Sequence, residues 1–170
     1  NLPEADRASP TSSEIISASE DGGLLAYSDS PHGGVGFIDI TDVRAPRPAG
    51  YVKLDGEPTT VIIDGGKVLA GVNTSQSKVD PSGRLVVIDI ASKAVEASCD
   101  LGGQPDSVAL SPDRSFLAIA IENERDEEIN GGALPQMPSG NLKIVPLAKD
   151  GAPDCAAIKT VDLTGLAEIA

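Results

Sequence analysis

The chain has 170 residues and a formal net charge of −13. That length allows one domain with a buried core, and the charge, offset by no basic patch, excludes nucleic acid and anionic membrane surfaces as partners. No apolar run reaches the roughly 20 residues of a membrane-spanning helix, so no membrane insertion is expected. An anionic ligand would need a bridging cation, and Ca²⁺ is the cation that suits a carboxylate-rich surface. The chain begins at Asn1 rather than Met, which points to a removed secretory signal and a secreted or periplasmic location. Two cysteines, Cys99 and Cys155, fit an oxidising compartment.

Residues 1–13 read as an extended lead-in without apolar period. From residue 14 a repeat appears. Copy one covers 14–56, copy two 57–103 and copy three 104–165. Each has four short strands rich in Val, Ile and Leu, with a tight turn between the first two: Asp21-Gly22-Gly23, Asp64-Gly65-Gly66 and Ser111-Pro112-Asp113-Arg114. The segments Gly36–Ile40, Leu85–Ile90 and Leu142–Leu147 occupy one slot in the three copies. The junctions Leu54-Asp55-Gly56-Glu57-Pro58 and Leu101-Gly102-Gly103-Gln104-Pro105 match. Copy three carries a long insert, 122–139, opening on Glu122-Asn123-Glu124-Arg125-Asp126-Glu127-Glu128. Residues 166–170 read as the first strand of a fourth unit.

Four antiparallel strands repeated at about fifty residues indicate an all-β fold, a partial β-propeller of three four-stranded blades plus the start of a fourth. A β-sandwich explains the strands but not the regular spacing or the matched junctions. Propellers close with four to eight blades. The remaining blades are therefore expected from a second chain, either the other part of a cleaved precursor or another copy of this one. The Gly-x-Pro junctions, each followed by an apolar strand and an Asp-Gly or Ser-Pro-Asp turn, resemble the YVTN and lactonase-like propellers. Ala118–Glu127 with Leu134-Pro135-Gln136 resembles, more narrowly, secreted bacterial propellers of the phytase-like group (esterase-like activity of phytase). That resemblance implies a calcium-assisted phosphoesterase or esterase. The alternative is a non-catalytic binding module or structural subunit presenting its loop face to a protein or glycan.

In a propeller the loops between the second and third strands share one face with the connections between blades. The candidate site lies there. Glu122, Glu124, Asp126 and Glu127 are candidate metal ligands, and strand alternation puts Glu122, Glu124 and Asp126 on one side if the strand continues. Asn123, Arg125, Asn73 and His32, the only histidine, are candidate ligand-binding residues. The acidic run reads equally as a solvated loop, and its spacing is not that of an EF-hand. A Cys99–Cys155 disulfide and two free thiols are both open, because the outer strands that carry these residues diverge and bridged Cα atoms must lie within about 7 Å.

Overall fold

The computed structural model describes residues 4–163. Within them twelve strands form three antiparallel four-stranded sheets, each sheet in sequence order. Blade 1 holds β1 (Ile16–Ala18), β2 (Leu24–Asp29), β3 (Gly34–Asp39) and β4 (Arg47–Lys53). Blade 2 holds β5 (Glu57–Asp64), β6 (Lys67–Asn73), β7 (Gly83–Asp89) and β8 (Val95–Asp100). Blade 3 holds β9 (Pro105–Leu110), β10 (Phe116–Ile121), β11 (Asn141–Pro146) and β12 (Lys159–Asp162). The innermost strands lie side by side, β1 against β5 and β5 against β9. This is the propeller arrangement that the spacing predicts.

Burial records where each sheet is covered. In β6 every residue from Val68 to Val72 is buried, because blade 2 has a neighbour on both faces and so needs apolar side chains of both parities. In β10 only Leu117, Ile119 and Ile121 are buried, because blade 3 is covered on one face alone. Two cores follow. Ala26, Val35, Phe37 and Val52 of blade 1 pack on Val61, Val68, Ala70 and Val72 of blade 2. Leu69, Leu85, Val87 and Cys99 on the other face of blade 2 pack on Leu117, Ile119 and Val145 of blade 3. Each fully buried Leu, Val or Phe contributes about 1.5–3 kcal/mol. Two apolar faces stay open. On blade 3, Phe116 and Val161 are 37% and 43% exposed, beside half-buried Leu142 and Ile144. On blade 1, Ile16 is 60% exposed.

Two short 3-10 turns add to the strand pattern. The lead-in includes one 3-10 turn, Glu4–Asp6, closed by Arg7 N–H to Glu4 O. The outermost strand of blade 3 begins only at Lys159, because Cys155–Ala157 before it forms a 3-10 turn capped by the Asp154 carboxylate on Ala156 N–H. That turn brings the chain back toward β8, and Cys99 and Cys155 are joined with their Cα atoms 5.2 Å apart. The divergence of the outer strands is overcome because Cys155 sits in the turn before β12, while Cys99 points into the blade 2–blade 3 core. The expected fourth-blade strand, 166–170, lies outside the described residues.

Opposite the loop face, the turns between first and second strands are tied together. Arg114 of blade 3 donates from Nε to Asp64 of blade 2 at 2.6 Å and from Nη1 to Glu20 of blade 1 at 3.1 Å. One guanidinium thus links all three blades.

Candidate functional site

The second strand of each blade ends on the loop face, and the residue six places after its first occupies the same position each time. Register aligns Ser30 of blade 1, Asn73 of blade 2 and Glu122 of blade 3. All three line one cavity of about 490 Å³ at the starts of the innermost strands, together with Glu14, Glu57 and Asp106. Short bonds within and between blades fix this mouth. Ser30 Oγ lies 2.6 Å from Glu14 Oε2 and 2.9 Å from Pro58 O. Thr59 Oγ1 donates to Pro105 O at 2.7 Å.

Asn123 anchors the start of the insert. It adopts φ +50°, a left-handed conformation that Asn tolerates better than most residues, and this ends the alternation of β10. Its Oδ1 accepts from Gln104 N–H at 3.0 Å and its Nδ2 donates to Ser139 O at 3.1 Å. One side chain therefore holds the junction of blades 2 and 3 and both ends of the insert. The close approach requires Gly103. A Cβ there would lie 2.5 Å from Ile121 Cγ2 and 2.8 Å from Asn123 Oδ1.

Because the strand stops, parity does not place the carboxylates. Glu122 and Glu124 reach the mouth, Glu124 paired with Lys78 at 3.2 Å and bonded from Gln104 Nε2 at 3.3 Å. Asp126 turns inward, and its Oδ1 accepts from Glu128 N–H at 2.9 Å. Gln136 grips the Asp126 backbone, accepting from its N–H at 2.7 Å and donating to its carbonyl at 2.8 Å. Arg125 is engaged within the insert, with Glu127 and with Gly132 O, each at 3.2 Å. Among the described residues no three His, Cys, Asp or Glu side chains converge on a common point for a metal ion. As placed, Glu122, Glu124, Asp126 and Glu127 do not form one closed set of calcium ligands.

Glu122 is held above the usual carboxylate range, first by partial burial and then by the negative charges of Asp106 and Glu124. The mouth thus concentrates more negative charge than its neighbours neutralise. Asn73 belongs to it, with Nδ2 3.5 Å from Glu57 Oε2. His32 does not. It sits on the flank of blade 1, its ring 5.4 Å from that of Tyr51, its backbone N–H directed to the buried Asp29 carboxylate at 3.3 Å. Sequence reasoning missed Glu14, Glu57, Asp106 and Lys78. The matched junctions were the signal for two of them, since Glu57 precedes one junction proline and Asp106 follows the other.

Residues 14–169 match the choice-of-anchor I domain. The chain belongs to that family. No curated protein matches it in sequence. Among solved structures it is similar to the hydrazine synthase of Kuenenia stuttgartiensis, with TM-score 0.61 and 16% identity over 88% of this chain and 37% of that one. It is also similar to a putative 6-phosphogluconolactonase from Bacteroides uniformis, with TM-score 0.61 and 13% identity over 94% of this chain and 44% of that one. A luciferin-regenerating enzyme aligns with TM-score 0.56 and 16% identity over 89% of this chain and 45% of that one. These likenesses establish the propeller fold. The choice-of-anchor I chain spans less than half the length of each of these structures.

Proposed function

We propose that this choice-of-anchor I chain is part of an extracellular propeller whose loop face binds a ligand at the carboxylate-lined mouth. The observation that carries this reading is the convergence of Ser30, Asn73 and Glu122, one position in three successive blades, with Glu14, Glu57 and Asp106 on a single cavity. Rigid sheets hold side chains that no core requires there. An extracellular location is supported by the family, whose members are typically extracellular or surface-associated, and by the disulfide. Further blades complete the ring. The open apolar faces of blades 1 and 3 support this. The test is the triple change Glu57→Gln, Asp106→Asn, Glu122→Gln in the ring-complete protein. Binding on peptide and glycan arrays is expected to fall while Tm stays within about 2 °C. Unchanged binding would remove the mouth from the reading.

A second reading, calcium-assisted hydrolysis of phosphate or carboxylic esters, is favoured by the uncompensated negative charge that Glu122 and Asp106 bring to the mouth. Donors from further blades would have to close the ion's shell. Hydrolysis of p-nitrophenyl phosphate or acetate that EGTA abolishes and Ca²⁺ restores is its expected signature. No metal-dependent rate in the ring-complete protein eliminates it.

A further inference from the structure

We infer that a groove beside the mouth docks an extended protein segment that pairs an apolar side chain with a neighbouring Lys or Arg. This rests on the loop-face binding reading and names its partner class. The groove, of about 730 Å³, runs between the blade 2 loop at Lys78-Val79 and the insert of blade 3. Its apolar side chains stand open, with Leu134 72%, Met137 66% and Val79 51% exposed.

This exposure is built into the insert. Gln136, which lies between Leu134 and Met137 in the chain, clamps the Asp126 backbone of the acidic run. Arg125 holds Gly132 O, and Asn123 holds Ser139 O. These bonds fix the loop in a shape that leaves Leu134 and Met137 outside, where a surface loop would ordinarily carry polar residues or fold them in.

The groove and the mouth share Glu122, Glu124 and Lys78. An occupant lying along the groove therefore runs from apolar side chains to carboxylates. The shared cation, Lys78, is already paired with Glu124, which leaves Glu122 and Asp106 to attract positive charge from outside. A nucleic acid or an acidic peptide is repelled by that end. A neutral sugar leaves Leu134 and Met137 uncovered. A segment with an apolar residue next to a basic one satisfies both ends, and electrostatic complementarity sets its orientation.

The test uses the ring-complete protein and three labelled octapeptides, of alternating Leu-Lys, Leu-Glu and Ser-Lys, followed by fluorescence anisotropy. The Leu-Lys peptide is expected to bind at least about tenfold more tightly than either of the others. Leu134→Ser with Met137→Ser is expected to weaken it about tenfold and to leave the Ser-Lys peptide unaffected. Asp106→Asn with Glu122→Gln is expected to remove most of its salt dependence. Equal binding of Leu-Lys and Leu-Glu, or wild-type affinity in the Leu134/Met137 variant of unchanged Tm, overturns the inference. Should the peptides fail while a glycan array responds to the Asp106/Glu122 variant, the peptide partner falls and the loop-face reading stands. Should neither respond, both fall.

Discussion

Gly103 and Asn123 show how one contact sets the local chemistry. A methyl group at position 103 would meet Ile121 and Asn123, so Gly103→Ala is expected to cost about 1–3 kcal/mol in urea unfolding. It should also loosen the Gln104–Asn123 bond that holds Glu122 at the mouth. Glu122 makes a pH prediction with a definite sign. Its carboxyl is raised above the ordinary value of 4.5, so the folded state holds its proton more tightly than the unfolded chain does. That preference stabilises the fold at low pH and is lost as pH rises from about 4.5 through the higher folded value. Glu122→Gln should therefore flatten Tm against pH in that window and leave Tm at pH 7.5 equal to or above wild type, as differential scanning fluorimetry would read. Glu122 was legible in the sequence because it stands in a run of charge. Glu57 and Asp106 were marked only by their places beside the junction prolines, and it is the ring that brings them to one cavity.

The insert and the strand ends show where sequence periodicity stops carrying information. Valine and isoleucine in β6 and β10 reveal strands, and the turns between first and second strands bound them, so the blades were readable. Had the strand continued past Ile121, alternation would have set Asp126 on the same side as Glu122. Asn123 breaks the alternation through a single left-handed residue, and Asp126 instead caps a turn inside the insert. The disulfide was open for a similar reason, since strand register alone does not reveal the 3-10 turn that brings Cys155 toward Cys99. The bridge closes a loop with a sequence separation of 56, for which chain entropy gives stabilisation on the order of 4 kcal/mol. Paired replacement by Ser at positions 99 and 155 should lower urea-unfolding stability by roughly that amount, with little change in the binding loops.

At the scale of the whole molecule, an arc of blades is held at its core interfaces, at the rim by the disulfide and beneath by Arg114. The guanidinium reaches the largely buried Asp64 and the exposed Glu20, so Arg114→Ala leaves Asp64 without its partner. It should lower Tm by about 2–6 °C, while Glu20→Ala alone should barely register. The open faces of blades 1 and 3 give a prediction about assembly. The 170-residue chain studied alone should associate or bind further blades, as native mass spectrometry would detect. Val161→Asp on the blade 3 face should reduce that association. A stable monomer showing no tendency to pair would count against ring completion.

The bridge also has a mechanical meaning. The insert lies wholly between Cys99 and Cys155, so a chain pulled from its ends cannot extend that stretch while the bond is intact. For a separation of 56 residues the withheld length is about 190 Å. The outer strands can thus be drawn out while the insert remains tethered in a closed ring of chain. Single-molecule stretching with and without reductant should reveal the hidden length as an added extension step of about that size.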